Sequence, residues 1–112
     1  VFGAGTVGIL VAAAAKIQGA SQVVITDIDS GRVQYAEKNG FAHKGWTTTL
    51  RKPSGISEQL EVAREVSLGL ERDGLPGKYD AVFECTGAES CLQAAIYVSS
   101  HLAISFDKFG FS

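Results

Sequence analysis

Gly3, Gly5 and Gly8 have the spacing G-x-G-x-x-G within Val1-Phe2-Gly3-Ala4-Gly5-Thr6-Val7-Gly8. Each glycine answers a different steric demand. Gly3 permits a tight turn out of a strand. Gly5 lets the main chain approach a pyrophosphate with no Cβ in the way. Gly8 lets the following helix lie close to that strand. The amides near Thr6 and Val7 then open a helix and point at anionic oxygens, where the helix dipole favours negative charge. The chemistry implied is the binding of a dinucleotide through its phosphates. A glycine-rich strand-to-helix turn with no ligand is the plainer alternative.

Asp27 lies 19 residues beyond Gly8, directly after the run Gln22-Val23-Val24-Ile25-Thr26. A carboxylate there can accept both hydroxyls of an adenosine ribose and repel a 2′-phosphate, which selects NAD over NADP. Its plainer reading is a turn residue at a strand end. Asp29 adds to the repulsion, and its position also suits a helix cap. Arg32 can lie over an adenine, since a guanidinium stacks on flat π-systems; a solvated arginine on a helix surface is an equal alternative. The third group is Glu84-Cys85-Thr86-Gly87, expected at the carboxyl end of another strand. Ligands of open α/β sheets bind outside the carboxyl ends of the strands, so Cys85, Thr86 and Gly87 are expected to line the cofactor cleft.

No catalytic group for hydride transfer is visible. There is no Tyr-x-x-x-Lys pair and no constellation of metal ligands. Cys85 is not read as a nucleophile, because no histidine base is placed near it. Five residues separate Cys85 from Cys91, which fits neither a zinc knuckle nor a disulfide framework, so both are read as reduced, packed cysteines. His43 and His101 are read as surface or loop histidines.

The elements that must position these groups follow from periodicity and turn chemistry. Val7, Leu10, Val11, Ala14 and Ile17 recur at helical spacing, and Ala12 to Ala15 offer a thin face that can lie close to a sheet. Gly19 stops that helix. Residues 22–26 are β-branched and suit a buried parallel strand. Asp29 or Ser30 caps the next helix, Val33 and Ala36 form its inner face, and Asn39-Gly40 ends it. A short third strand is expected near residues 44–46, then a loop at Pro53-Ser54-Gly55. Ile56, Leu60, Ala63, Val66 and Leu70 form a helical stripe. Residues 73–77 are a turn, residues 79–85 a fourth strand, and Leu92, Ala95 and Ile96 one face of a last helix. This alternation predicts an α/β fold: a Rossmann-type open parallel sheet of about four strands, order 3-2-1-4, with helices on both faces.

The chain has 112 residues, enough for one domain, with 46% hydrophobic and 20% charged residues and a net charge of −2. Without a basic block, nucleic acid is not an expected partner. The longest apolar run, residues 9–15, is too short to cross a bilayer, so no membrane role is expected. It resembles a signal-peptide core, but no basic segment precedes it and the glycine loop explains its position better. A cytoplasmic location is expected.

These motifs together resemble the zinc-containing medium-chain dehydrogenases. The segments that carry the likeness are the glycine loop, Val23-Val24-Ile25-Thr26-Asp27-Ile28-Asp29-Ser30-Gly31-Arg32-Val33, and Ala81-Val82-Phe83-Glu84-Cys85-Thr86-Gly87 with the helix after it. The chain looks most like the polyol branch, which holds sorbitol, xylitol and L-arabinitol dehydrogenases. The resemblance implies NAD-dependent oxidation of a polyol or secondary alcohol to a ketone, with NAD(H) and a small polyol as partners in a homo-oligomeric parent. It also implies that Gly3, Gly5 and Gly8 form the dinucleotide loop, that Asp27 holds the ribose, that Arg32 lies by the adenine, and that Thr86-Gly87 borders the cofactor. Zinc is expected in the full-length family member, with its ligands in an amino-terminal domain and none in this chain.

A loop of this kind needs a whole strand in front of it, and Val1 is not a natural start, so the chain reads as a fragment. Residues 1–97 are expected to be a partial NAD-binding Rossmann domain and residues 98–112 an atypical tail. One origin for such a tail is translated intron: Val98-Ser99 can be encoded by GTAAGT, a common splice-donor sequence. Residues 102–106 could still pair as a short strand. A shortened central strand leaves partners that cost ~1–3 kcal/mol each if buried and unpaired, and an open apolar edge invites association, so marginal stability is expected. The alternative functional reading is a non-catalytic nucleotide-binding remnant of a truncated gene product. A methyltransferase is a third reading, to which the Glu84-to-Gly87 segment lends no support.

Overall fold

The computed structural model describes residues 1–48, 54–86 and 88–105. Helices and strands alternate along the chain: α1 (Thr6–Ile17), β1 (Val24–Asp27), α2 (Ser30–Lys38), β2 (Lys44–Thr47), α3 (Ile56–Arg72), β3 (Tyr79–Glu84), α4 (Glu89–Val98) and β4 (Ser99–Ser105). β1 pairs with β2 in parallel, with Val24 opposite Lys44 and Asp27 opposite Thr47. β3 pairs with β4 in parallel, with an irregularity between Tyr79 and Ala81. The fold is α/β of Rossmann type, as the alternation of periods predicts.

The strand order differs in detail from 3-2-1-4. The expected first strand is a single residue: Phe2 bridges Thr26 on one side and Glu84 on the other, both in parallel. Around it the strands form two pairs, β1-β2 and β3-β4. The second, third and fourth expected strands are β1, β2 and β3, and β4 is added beyond them. The strand expected over residues 102–106 begins earlier, at Ser99, where α4 runs straight into it; Phe106 lies outside the described residues, as does Pro53 of the expected loop.

Successive residues of a parallel strand point to opposite faces, and here both faces are covered. Val24, Trp46 and Val82 pack with Ala63, Val66 and Leu70 of α3 and with Ala94, Ala95 and Val98 of α4. On the other face Ile25 packs with Ala12 of α1 and with Val33 and Ala36 of α2. The Trp46 indole N–H donates to Asp73 Oδ2 at 2.7 Å, tying β2 to the end of α3. The expected stops at Gly19 and Asn39-Gly40 fall where α1 and α2 end.

In three helices the buried face departs in part from the one read in the sequence. In α1, Gly8 and Ala12 are buried while Leu10 and Ile17 are exposed. The close approach of Gly8 to the glycine turn fixes that rotation, and small residues must therefore face the sheet. In α3, Val62 and Ser67 join Ala63, Val66 and Leu70 inside, whereas Leu60 is 56% exposed; the Ile56 side chain lies outside the description. In α4, Cys91, Ala94, Ala95 and Val98 are buried, Leu92 is half-buried, and Ile96 is exposed. Ala63, Ala94 and Ala95 let α3 and α4 pack closely beside Val66, Leu70 and Val98, while Leu60 and Ile96 stay outside.

Leu60 and Leu70 stand on one predicted stripe but in opposite environments, Leu70 being 3% exposed. Leu70→Ala is expected to lower unfolding free energy by about 2–5 kcal/mol, as for a buried leucine. Leu60→Ala should change it by less than about 0.5 kcal/mol. Denaturant unfolding of the two variants checks this; similar losses would contradict the observed rotation of α3.

Candidate dinucleotide-binding site

The glycine loop, the end of β1 and the end of β3 lie together at the carboxyl edge of the sheet. Gly3 has a φ of +106°, a conformation that favours glycine. A Cβ there would stand 3.1 Å from the Cys85 carbonyl carbon and 3.1 Å from Thr86 Cγ2. A Cβ on Gly8 would run into the Gly3 carbonyl, whose carbon would be 2.7 Å away. These two glycines are required by the chain's own packing.

Gly5 is different. It caps α1 with no side-chain bond, and a Cβ on it would meet nothing within 4 Å. The first bond of α1 is Ile9 N–H to the Gly5 carbonyl, at 2.9 Å. The amides of Thr6, Val7 and Gly8 precede it and have no place in the intrahelical ladder. No acidic side chain stands in the first turn of α1 to offset the dipole. The start of α1 thus combines amides outside the ladder with open space where a side chain would otherwise project.

Asp27 ends β1 and is half-buried. Its Oδ2 accepts the Ala4 N–H at 2.8 Å and its Oδ1 accepts the Asp29 N–H at 3.0 Å. The carboxylate therefore touches the glycine loop directly. Asp29 is the cap of α2, accepting the Arg32 N–H at 3.2 Å. Arg32 Nε stands 3.8 Å from Asp29 Oδ2, with both side chains more than half exposed; such a pair contributes little to stability. Arg32 is thus held on the outer first turn of α2, where its guanidinium face stays open to solvent.

On the other side of the loop, Cys85 N–H donates to the Phe2 carbonyl at 2.8 Å. Thr86 is exposed, and its N–H donates to Glu84 Oε1 at 2.6 Å. Gly87 lies outside the described residues. The expected site residues on β1 and β3 are therefore brought to the loop from its two flanks. Spacing did not single out the Ala4 amide or Glu84. Glu84 had a usable signal: it alternates with buried Val82 along β3, which places a carboxylate inside.

A cavity of about 330 Å³ lies elsewhere, between the amino halves of β1 and β3, lined by Val24, Leu70, Tyr79 and Val82 among others. Two residues that line it, Thr26 and Tyr79, carry hydroxyls that are buried without hydrogen-bond partners. Burial pushes the Tyr79 hydroxyl up to about 12. Among the described residues no group of three or more His, Cys, Asp or Glu side chains could hold a metal ion, and no helix is long and apolar enough to cross a membrane.

Burial pushes the Cys85 thiol up to about 11; the terminal ammonium opposes the shift and the Glu84 carboxylate adds to it. The folded chain therefore favours the thiol form. Its stabilising contribution is complete below the ordinary thiol value of 9.0 and is lost as pH rises towards about 11. Alkylation of Cys85 by iodoacetamide is expected to accelerate with a midpoint near that upper value. A midpoint at or below the ordinary value would contradict the burial described.

Over residues 6–102 the chain matches the family described as zinc-binding dehydrogenase. It is 37% identical over 100 residues to sorbitol dehydrogenase of Bos taurus, covering 88% of this chain and 24% of that protein. It is 36% identical over 96 residues to D-xylulose reductase of Scheffersomyces stipitis, covering 86% and 23%. It is 33% identical over 84 residues to L-threonine 3-dehydrogenase of Aeromonas hydrophila, covering 75% and 24%. The chain thus spans about a quarter of the length of these curated relatives. With a glycine loop, a carboxylate at the end of β1 and the sequence Glu84-Cys85-Thr86-Gly87 beginning at the end of β3, and with that match over most of its length, the chain belongs to the zinc-binding dehydrogenases, a family of oxidoreductases.

Proposed function

We propose that this chain supplies the NAD site of an enzyme that oxidises a polyol, or another secondary alcohol, to a ketone. The observation that supports it is the meeting of an open helix N-terminus at Gly5 with the Asp27 carboxylate at one edge of the sheet. When bound, NAD accepts a hydride; the residues of this chain bind and orient it. The amides of Thr6, Val7 and Gly8 hold the pyrophosphate, and the absence of a Cβ at Gly5 gives it room. Each Asp27 oxygen already accepts one N–H. An ionised carboxylate has about four lone-pair sites, so acceptors remain for the two ribose hydroxyls. Arg32 covers the adenine, and Cys85 and Thr86 form the wall beside the nicotinamide half.

No proton transfer or metal-assisted step is assigned to the described residues, which offer no ligand set for zinc. The polyol is supported by the names of the relatives, sorbitol dehydrogenase and D-xylulose reductase, against one named for L-threonine. A cytoplasmic, homo-oligomeric enzyme is part of the same proposal.

Fluorescence titration of the chain should show NADH binding and NADPH binding at least about tenfold weaker, a difference of about 1.4 kcal/mol. Equal affinities would defeat the NAD assignment, and no binding of either would defeat the reading. Gly5→Ala and Gly8→Ala separate the ligand's requirement from the chain's. Gly5→Ala should weaken NADH about tenfold or more while costing no more than about 1 kcal/mol of stability, because the new Cβ enters open space. Gly8→Ala should cost about 1–3 kcal/mol of stability by forcing α1 off the Gly3 carbonyl.

A further inference from the structure

Glu84 is 1% exposed, one of the most deeply buried side chains in the molecule. A carboxylate at that depth is tolerated only if its oxygens meet donors. Oε1 accepts twice from one residue: from the Thr86 N–H at 2.6 Å and from the Thr86 hydroxyl. The hydroxyl, its proton given to Glu84, then accepts the Ala88 N–H at 3.0 Å. Ala88 is the cap of α4 and has no capping side chain of its own. A relay from Glu84 through Thr86 to Ala88 thus fixes the passage from β3 to α4.

That passage is one wall of the glycine turn. Cys85 and Thr86 stand against the position a Gly3 Cβ would occupy, and Cys85 is bonded to Phe2. We infer that Glu84 is a positioning residue for the dinucleotide site: it holds the Cys85–Thr86 wall against Gly3 and commits the Thr86 hydroxyl proton inward. Exposed Thr86 then offers a bound dinucleotide a lone pair and no proton, so it recognises a donor group and not a phosphate oxygen. This rests on the dinucleotide reading above.

The test uses NADH titration of the chain, with thermal unfolding as the check on folding. Glu84→Leu keeps the bulk and removes the acceptor; it should weaken NADH about tenfold, the scale of a lost charge-assisted hydrogen bond. Glu84→Gln retains Oε1 and should stay within about threefold of wild type. In Glu84→Leu/Thr86→Val the two losses should not add, because both break one relay. Wild-type affinity in Glu84→Leu, or additive losses in the double variant, would overturn the inference. If Glu84→Leu does not fold, Thr86 decides: Thr86→Ser should restore the NADH affinity and the Ala88 amide protection from exchange that Thr86→Val loses. Equal loss in both overturns it. Failure of the wild-type chain to bind NADH would defeat the dinucleotide reading and this inference with it. Failure in the variants alone, with wild-type binding intact, bears only on Glu84.

Discussion

Four main-chain hydrogen bonds around Phe2 hold the two strand pairs in one sheet. On the β3 side the Phe2 N–H donates to the Phe83 carbonyl and the Phe2 carbonyl accepts from the Cys85 N–H; on the β1 side the Gly3 N–H donates to the Thr26 carbonyl and the Thr26 N–H to the Val1 carbonyl. Everything at the carboxyl edge depends on the register they set. Side chains alternate faces along a strand, so a slip of one residue past Phe2 would exchange the faces of β1 or β3. Asp27 would then leave the Ala4 amide, and Glu84 would leave the interior. The glycine turn would lose both of its flanks at once.

Two carboxylates flank a loop proposed to hold phosphates, which looks electrostatically wrong. The hydrogen bonds explain why it is tolerable. Asp27 is turned onto the Ala4 and Asp29 amides, and Glu84 onto Thr86 within the protein. Each negative charge faces donors of the chain, while the amides at the start of α1 lie outside the intrahelical ladder. The loop is thus braced by acceptors from both sides and presents donors in the middle. The packing around it agrees: a Cβ is excluded at Gly3 and Gly8 by the chain itself, and at Gly5 by none of the described residues.

The elements were legible in the sequence because their signals are local. Turn residues at Gly19, Asn39-Gly40 and residues 73–77 punctuate runs of distinct period, and the helices and strands begin and end within a few residues of them. Helix rotation was legible only in part: Val33 and Ala36 of α2 and Ala63, Val66 and Leu70 of α3 are buried as read. A hydrophobicity stripe points to the large apolar residues, Leu10, Ile17, Leu60 and Ile96, yet all four are exposed. What faces the sheet is set by closeness of approach, which favours Gly8, Ala12, Ala63, Ala94 and Ala95. The same distinction runs through the site. Gly3, Gly5, Gly8 and Asp27 were readable because their spacing encodes a turn. The contact between Asp27 and Ala4 was not, since it joins segments 23 residues apart through a main-chain donor with no side-chain signature.

The groups gathered at this edge are chemically quiet, and each is quiet for a physical reason. The Cys85 thiol is protonated at neutral pH, and burial extends that state towards about pH 11. The Thr86 proton is committed to Glu84. Asp27 is occupied by two amides. A general acid or base needs a proton free to move towards the substrate, and a nucleophile needs an ionised or activated atom; these side chains have had both removed by their partners. Fixed donors and acceptors suit a different task, in which a ligand is held in one orientation while its reactive ring is left undisturbed. The same hydrogen bonds that stabilise the turn therefore serve the proposed binding role as well: they turn reactive side chains into a rigid pattern of donors and acceptors.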